Sequence, residues 1–185
     1  MNTPNKITVF RIFLVPVFLA VYLLDLPYNH LISAAIFGLA AATDAVDGHL
    51  ARKNNIITVF GKFLDPIADK MLVTAGLLAF MQDGLCNIWI VLAILVREFV
   101  MTSLRLIASA QGVVIPANVF GKIKTVMQMV SFILVMLICA INDFVTLPFS
   151  IPLVSNILLG ASALMGVVSA VIYYKESKNV IDFTK

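Results

Sequence analysis

Apolar residues run along this chain in six long blocks, interrupted by short clusters of Gly, Pro, Asn, Gln and Asp. The blocks cover about Ile7 to Leu24, Leu31 to Lys53, Val59 to Met81, Asn87 to Ser109, Ala117 to Ile141 and Leu153 to Tyr174. Each is close to the roughly 20 residues that an α-helix needs to cross a bilayer. Thr3-Pro4-Asn5 reads as a helix start ahead of the first block. Asp25-Leu26-Pro27 with Asn29-His30, Asn54-Asn55, Gln82-Asp83-Gly84, Gln111-Gly112 with Pro116, and Asn142 to Pro152 supply the breaks. The pattern predicts an all-α integral membrane protein with six transmembrane helices, in a single domain over residues 1–185.

Composition agrees. Of 185 residues, 61% are hydrophobic and 12% charged. A soluble domain is about half apolar and a quarter charged. The first block holds Arg11 and Pro16 and lacks a small-residue cleavage site, so it reads as a retained span. Small residues repeat every four positions at Ala34, Gly38 and Ala42, and at Ser162, Gly166 and Ala170, as close helix packing in lipid requires. Cys86 and Cys139 have no metal-type spacing and read as small apolar residues.

Charge placement supplies an orientation. Lys and Arg gather at the N-terminal end, around the second and fourth breaks and in the tail. The other three breaks hold Asp25, Asp83 and Asp143 and no Lys or Arg. The positive-inside rule puts both termini and the even loops in the cytoplasm. Trp89, Tyr22 and Tyr28 would then mark the outer boundary, and Tyr173 and Tyr174 the inner one.

The chemistry gathers between blocks two and three. Asp44, Asp47, Asp65 and Asp69 are four of the ten acidic residues in the chain. Asp44 and Asp47 share one helical face, and Asp65 and Asp69 share another on the next helix. The connection is short, so the two helices are expected to be antiparallel neighbours. A carboxylate within a span costs about 2.5–3.5 kcal/mol near the bilayer centre. Four together need compensation, and Arg52 and Lys70 are too few to provide it. Two divalent ions, Mg²⁺ or Mn²⁺, suit an all-oxygen donor set. Acid-held metal pairs serve displacement at phosphorus. Gly48, Ala51 and Gly61 would keep the helix faces low for an approaching phosphate. A proton or cation pathway in a transporter is the alternative use of such aspartates.

The run Asp44-x2-Asp47-Gly48-x2-Ala51-Arg52-x8-Gly61-x3-Asp65-x3-Asp69 resembles the signature of the CDP-alcohol phosphatidyltransferases at all nine defining positions. Pro4-Asn5-x2-Thr8-x2-Arg11, Asp65-Pro66-x2-Asp69-Lys70, Arg97-Glu98, Arg105 and Gly121-Lys122-x-Lys124-Thr125-x2-Gln128 are similar to the branch that forms phosphatidylglycerophosphate. The resemblance implies a six-helix fold, a homodimer and an active site open to the cytoplasmic leaflet of the cell membrane. It implies transfer of a phosphatidyl group from CDP-diacylglycerol to a small alcohol, with release of CMP. It further implies that Asp44, Asp47, Asp65 and Asp69 hold the metals and that Asp69 is also the base. Gly48, Ala51, Arg52 and Gly61 would line the CDP-diacylglycerol site, with Asn5, Thr8 and Thr58 as further candidates.

A phosphorylated acceptor needs cations. Gly121, Lys124, Thr125 and Gln128 share one helical face, with Lys122 at its edge. Arg97 and Arg105 are eight residues apart, about 80° around a helix, and could address one cleft. With Lys70 these form the candidate acceptor-phosphate set. Lys122 and Lys124 could instead anchor their helix to anionic headgroups. Arg97-Glu98 reads either as an internal ion pair or as a site wall. The branch resemblance favours sn-glycerol 3-phosphate over inositol phosphate or serine. Nothing in the sequence points to nucleic acid.

Overall fold

The computed structural model describes residues 3–24, 26–53, 59–111 and 119–177, which form six α-helices and no strand. They are α1 (Thr3–Leu23), α2 (Asn29–Lys53), α3 (Val59–Gln82), α4 (Ile88–Ala110), α5 (Val119–Asn142) and α6 (Ile151–Ser177). The helix ends lie within a few residues of those the polar breaks predict. Of the described residues, α1, α5 and α6 hold the stretches long and apolar enough to cross a bilayer. α4 is as long but carries Arg97, Glu98 and Arg105. The side chains at Asp44, Asp47, Gly48, Ala51, Arg52, Gly61 and Asp65, and all of Thr58, lie outside the described residues.

α1 is the hub. Asn5, Thr8, Arg11, Val15, Phe18 and Tyr22 are its buried residues, spaced three and four apart. That spacing puts them on one stripe, apolar in its later turns and polar in its first three. The stripe packs against both α2 and α3. Among the described residues, α1 packs more extensively on α2 and on α3 than those two pack on each other. α5 packs on α2 and α6, and α4 packs on α6 and α3.

Contacts at the two ends show the helices running alternately up and down. At one end the close of α1 meets the start of α2 and the close of α3. There Phe18, Tyr22, Phe37, Phe80 and Phe132 form a chain of ring contacts, with centroids 5.0–6.0 Å apart. Each such ring buries a large apolar area, and tilted or edge-on pairs add to that. His30 Nδ1 lies 2.8 Å from Asp143 Oδ2 and ties α2 to the end of α5. Asn87 caps α4 by accepting from the Trp89 N–H at 3.0 Å. Asn156 of α6 accepts from the Asn87 N–H at 2.8 Å and donates to the Leu85 carbonyl at 3.2 Å. Gly84 takes a φ of +67° in that turn, a conformation open to glycine.

Two expected boundary aromatics are core residues instead. Tyr22 is 3% exposed and packs on Phe18, Phe80 and His30. Tyr173 is 1% exposed and lies beneath Arg105. Both fall on stripes that face other helices, whereas Trp89, Tyr28 and Tyr174 face outward. Cys86 and Cys139 are buried free thiols.

Candidate active site

At the other end the helices part around a cavity of about 810 Å³. The second half of α2 contributes Ala40, Ala41 and Ala42, which leave the wall low. α1 contributes Arg11, and α3 contributes Pro66, Asp69, Lys70 and Thr74. α4 contributes Arg97, Glu98, Thr102 and Arg105, and α5 contributes Gly121, Lys124, Thr125 and Gln128. Five cationic side chains thus face two carboxylates, Asp69 and Glu98, among the described residues of the lining. A concave wall on which cations outnumber carboxylates favours anions.

The Asp69 carboxylate faces the cavity and is about half exposed (48%). Arg11 NH1 donates to its Oδ1 at 2.9 Å, and the arginine side chain is 1% exposed. A buried arginine tethered to a carboxylate costs desolvation, which the ion pair offsets. The tether spans 58 residues of sequence. Arg11 appears in the N-terminal motif, but nothing in its spacing says that it meets Asp69.

The opposite wall carries a second ionic group. Glu98 Oε1 accepts from Arg97 NH1 at 3.1 Å and from Lys124 Nζ. Arg97 Nε donates to the Gly166 carbonyl at 3.2 Å, and Arg97 NH2 to Ser169 Oγ at 3.3 Å. Gly166 packs close to both side chains: Arg97 Cδ and Lys124 Cγ lie 3.6 Å from where a Cβ would be, an ordinary contact distance. Arg97-Glu98 is therefore both an internal ion pair and a site wall. Lys124 is 3% exposed, so it serves the cavity and not the lipid headgroups. Arg105 caps the wall, its guanidinium carbon 5.8 Å from the Tyr173 ring centroid, in cation–π range.

Most of the proposed acceptor set is brought together: Lys70, Arg97, Arg105, Lys124 and Thr125 all line the cavity. Lys122 is exposed and is not part of the lining. Asn5 and Thr8 are buried on the α1 stripe, about two turns and one turn before Arg11, and are not part of the lining either. Lys70 Nζ also donates to the Pro66 carbonyl at 3.3 Å, one turn back on α3. Sequence reasoning missed Arg11 in the lining, and Gly166, Ser169 and Tyr173, which hold the arginines of that lining. Gly166 stood out as a small residue, but periodicity could not say that it faces ions.

These features define an integral membrane protein with a cation-lined cleft around an acidic residue. Residues 1–172 match the family described as CDP-alcohol phosphatidyltransferase, and the chain belongs to that family. A CDP-diacylglycerol–glycerol-3-phosphate 3-phosphatidyltransferase of Bacillus subtilis (strain 168) is 42% identical over 161 residues, 80% of this chain and 83% of that one. A relative of the same name from Rickettsia bellii (strain RML369-C) is 33% identical over 177 residues, 96% of each chain. Among solved structures, the apo form of Mycobacterium tuberculosis phosphatidylinositol phosphate synthase matches with a TM-score of 0.65 at 18% identity, covering 96% of this chain and 90% of that one. That last likeness is one of fold.

Proposed function

We propose that this protein transfers the phosphatidyl group of CDP-diacylglycerol to sn-glycerol 3-phosphate, forming phosphatidylglycerophosphate and releasing CMP. The observation that carries the reading is the cavity in which Asp69 faces Lys70, Arg97, Arg105 and Lys124. A base beside a cationic wall suits an alcohol that carries a phosphate. The relatives named for this reaction, up to 42% identical over most of the chain, support the same acceptor.

The acceptor hydroxyl attacks the phosphorus that bears the diacylglycerol. A new P–O bond forms, the P–O bond to CMP breaks, and Asp69 takes the hydroxyl proton. Arg11 holds the Asp69 carboxylate in place for that transfer. The cations of α3, α4 and α5 bind the acceptor phosphate. Gly48, Ala51, Arg52, Gly61 and Thr58, with Asn5 and Thr8 on α1, form the side that receives the nucleotide lipid.

Asp44, Asp47, Asp65 and Asp69 would hold two Mg²⁺ or Mn²⁺ ions. The fit rests on donor chemistry: four carboxylates spaced three and four apart within continuous helices α2 and α3. Such ions neutralise charge on phosphoryl oxygens. All six helices cross the cell membrane in this reading. Both termini and the cleft face the cytoplasm, where the soluble acceptor is found, and two copies form the working homodimer.

The test is CMP release by purified protein in detergent with Mg²⁺ or Mn²⁺. Release is expected only with CDP-diacylglycerol and sn-glycerol 3-phosphate together, and chelation should abolish it reversibly. Turnover with inositol phosphate or serine in place of glycerol 3-phosphate would move the assignment to another acceptor. Acceptor-independent release, or none, would overturn it.

A further inference from the structure

Gln128 is 1% exposed, lines the cavity from α5, and its Nε2 is buried without a hydrogen-bond partner among the described residues. A buried amide N–H without a partner is costly, and native structures rarely leave one so. Ser33 and Ser155 also bury polar atoms without partners among the described residues, but neither lines the cavity. The other uncharged polar groups on the α4 and α5 walls are engaged. Thr102 Oγ1 donates to the Glu98 carbonyl at 2.9 Å, and Thr125 Oγ1 to the Gly121 carbonyl at 3.0 Å. Gln128 lies one helical turn beyond Lys124 on the face that lines the cavity, and Lys124 is bound to Glu98.

We propose that Gln128 is a specificity-determining residue that hydrogen-bonds the uncharged, hydroxyl-bearing part of the acceptor. The assignment of glycerol 3-phosphate above is its premise. The chemistry divides the ligand. A phosphate dianion goes to guanidinium and ammonium groups, which bind it by charge. A neutral hydroxyl gains little from a bare cation but matches a carboxamide, which offers a donor and an acceptor. An acceptor without that hydroxyl leaves the amide unpaired, and sites built around such a bond reject it.

The experiment compares two acceptors by CMP release: sn-glycerol 3-phosphate, and propane-1,3-diol monophosphate, which lacks the central hydroxyl. Wild-type protein is expected to favour the first in kcat/KM by roughly tenfold to a hundredfold. Gln128→Met keeps the side-chain length and removes the amide. It should lose about that factor with glycerol 3-phosphate while changing less than about threefold with the diol phosphate. The KM for CDP-diacylglycerol should stay constant.

Equal losses with both acceptors would make Gln128 a structural residue and overturn the proposal. Equal use of both acceptors by wild type would overturn it too, whether or not the variants fold. Gln128→Leu provides a second variant should Gln128→Met not purify as a monodisperse species. No acceptor-dependent CMP from wild type with either compound would instead sink the underlying assignment.

Discussion

Asp69 and Arg11 come from different helices and meet through one hydrogen bond at 2.9 Å. If Asp69 is the base, Asp69→Asn should lower kcat by roughly 10²–10⁴-fold with the protein still folded, as steady-state CMP release would measure. Arg11→Met keeps the carboxylate but removes the hydrogen bond that Arg11 gives it. A misplaced base costs about 10²-fold, so activity should fall by that order in the same assay. Activity unchanged by either substitution would remove these residues from the mechanism. Cys86 is a different case. It is 4% exposed in the turn after α3, and burial pushes its thiol up to about 11. The fold favours the neutral thiol, so its contribution to stability holds below the ordinary value of 9.0 and is lost as pH rises towards about 11. Maleimide should therefore label the folded protein at Cys86 very slowly at pH 7 and quickly after unfolding, as mass spectrometry would report.

At the scale of elements, glycine positions decide how closely helices approach. A Cβ on Gly76 of α3 would lie 2.8 Å from Phe132 Cε1, and that ring is wedged between Phe37 and Phe80. Gly76→Ala is expected to destabilise by about 1–3 kcal/mol, seen as a lower Tm in detergent. Gly166→Ala meets its neighbours at 3.6 Å, an ordinary contact, and should leave Tm nearly unchanged. Glu98 joins α4 to α5 through Lys124, and Arg97 beside it joins α4 to α6. Glu98→Gln would leave those two cations facing each other without a counter-charge. The expected loss is of the order of 3 kcal/mol, measured by the same thermal assay, because half a buried ion pair is worse than none.

For the whole molecule, the alternation of helix ends gathers Arg11, Lys70, Arg97, Arg105 and Lys124 at one end. Asp83 and Asp143 lie at the other, beside the turns after α3 and α5. If the cationic end faces the cytoplasm, Lys175→Cys should react with a membrane-impermeant maleimide only from the inside of vesicles. Trp89→Cys, at an exposed position by the opposite end, should react only from the outside. The two native thiols are buried and would add little background. The reverse pattern would invert the orientation.

The residue pattern alone set the six helices and nearly all their ends, because polar breaks and apolar length are local properties of the chain. It also determined which residues of α3, α4 and α5 share a face, since helical register follows from spacing alone. Tertiary structure decided what those faces meet. Arg11 reaches Asp69 because α1 packs against α3. Lys124 serves the cavity because Glu98 lies opposite it, and the Gly166 carbonyl accepts from the arginine beside it. Tyr22 and Tyr173 turned inward for the same reason. These are pairings between residues far apart in the chain, and periodicity along one helix carries no information about its neighbour. Whether a charge in a greasy segment is a wall, a tether or an anchor depends on that neighbour.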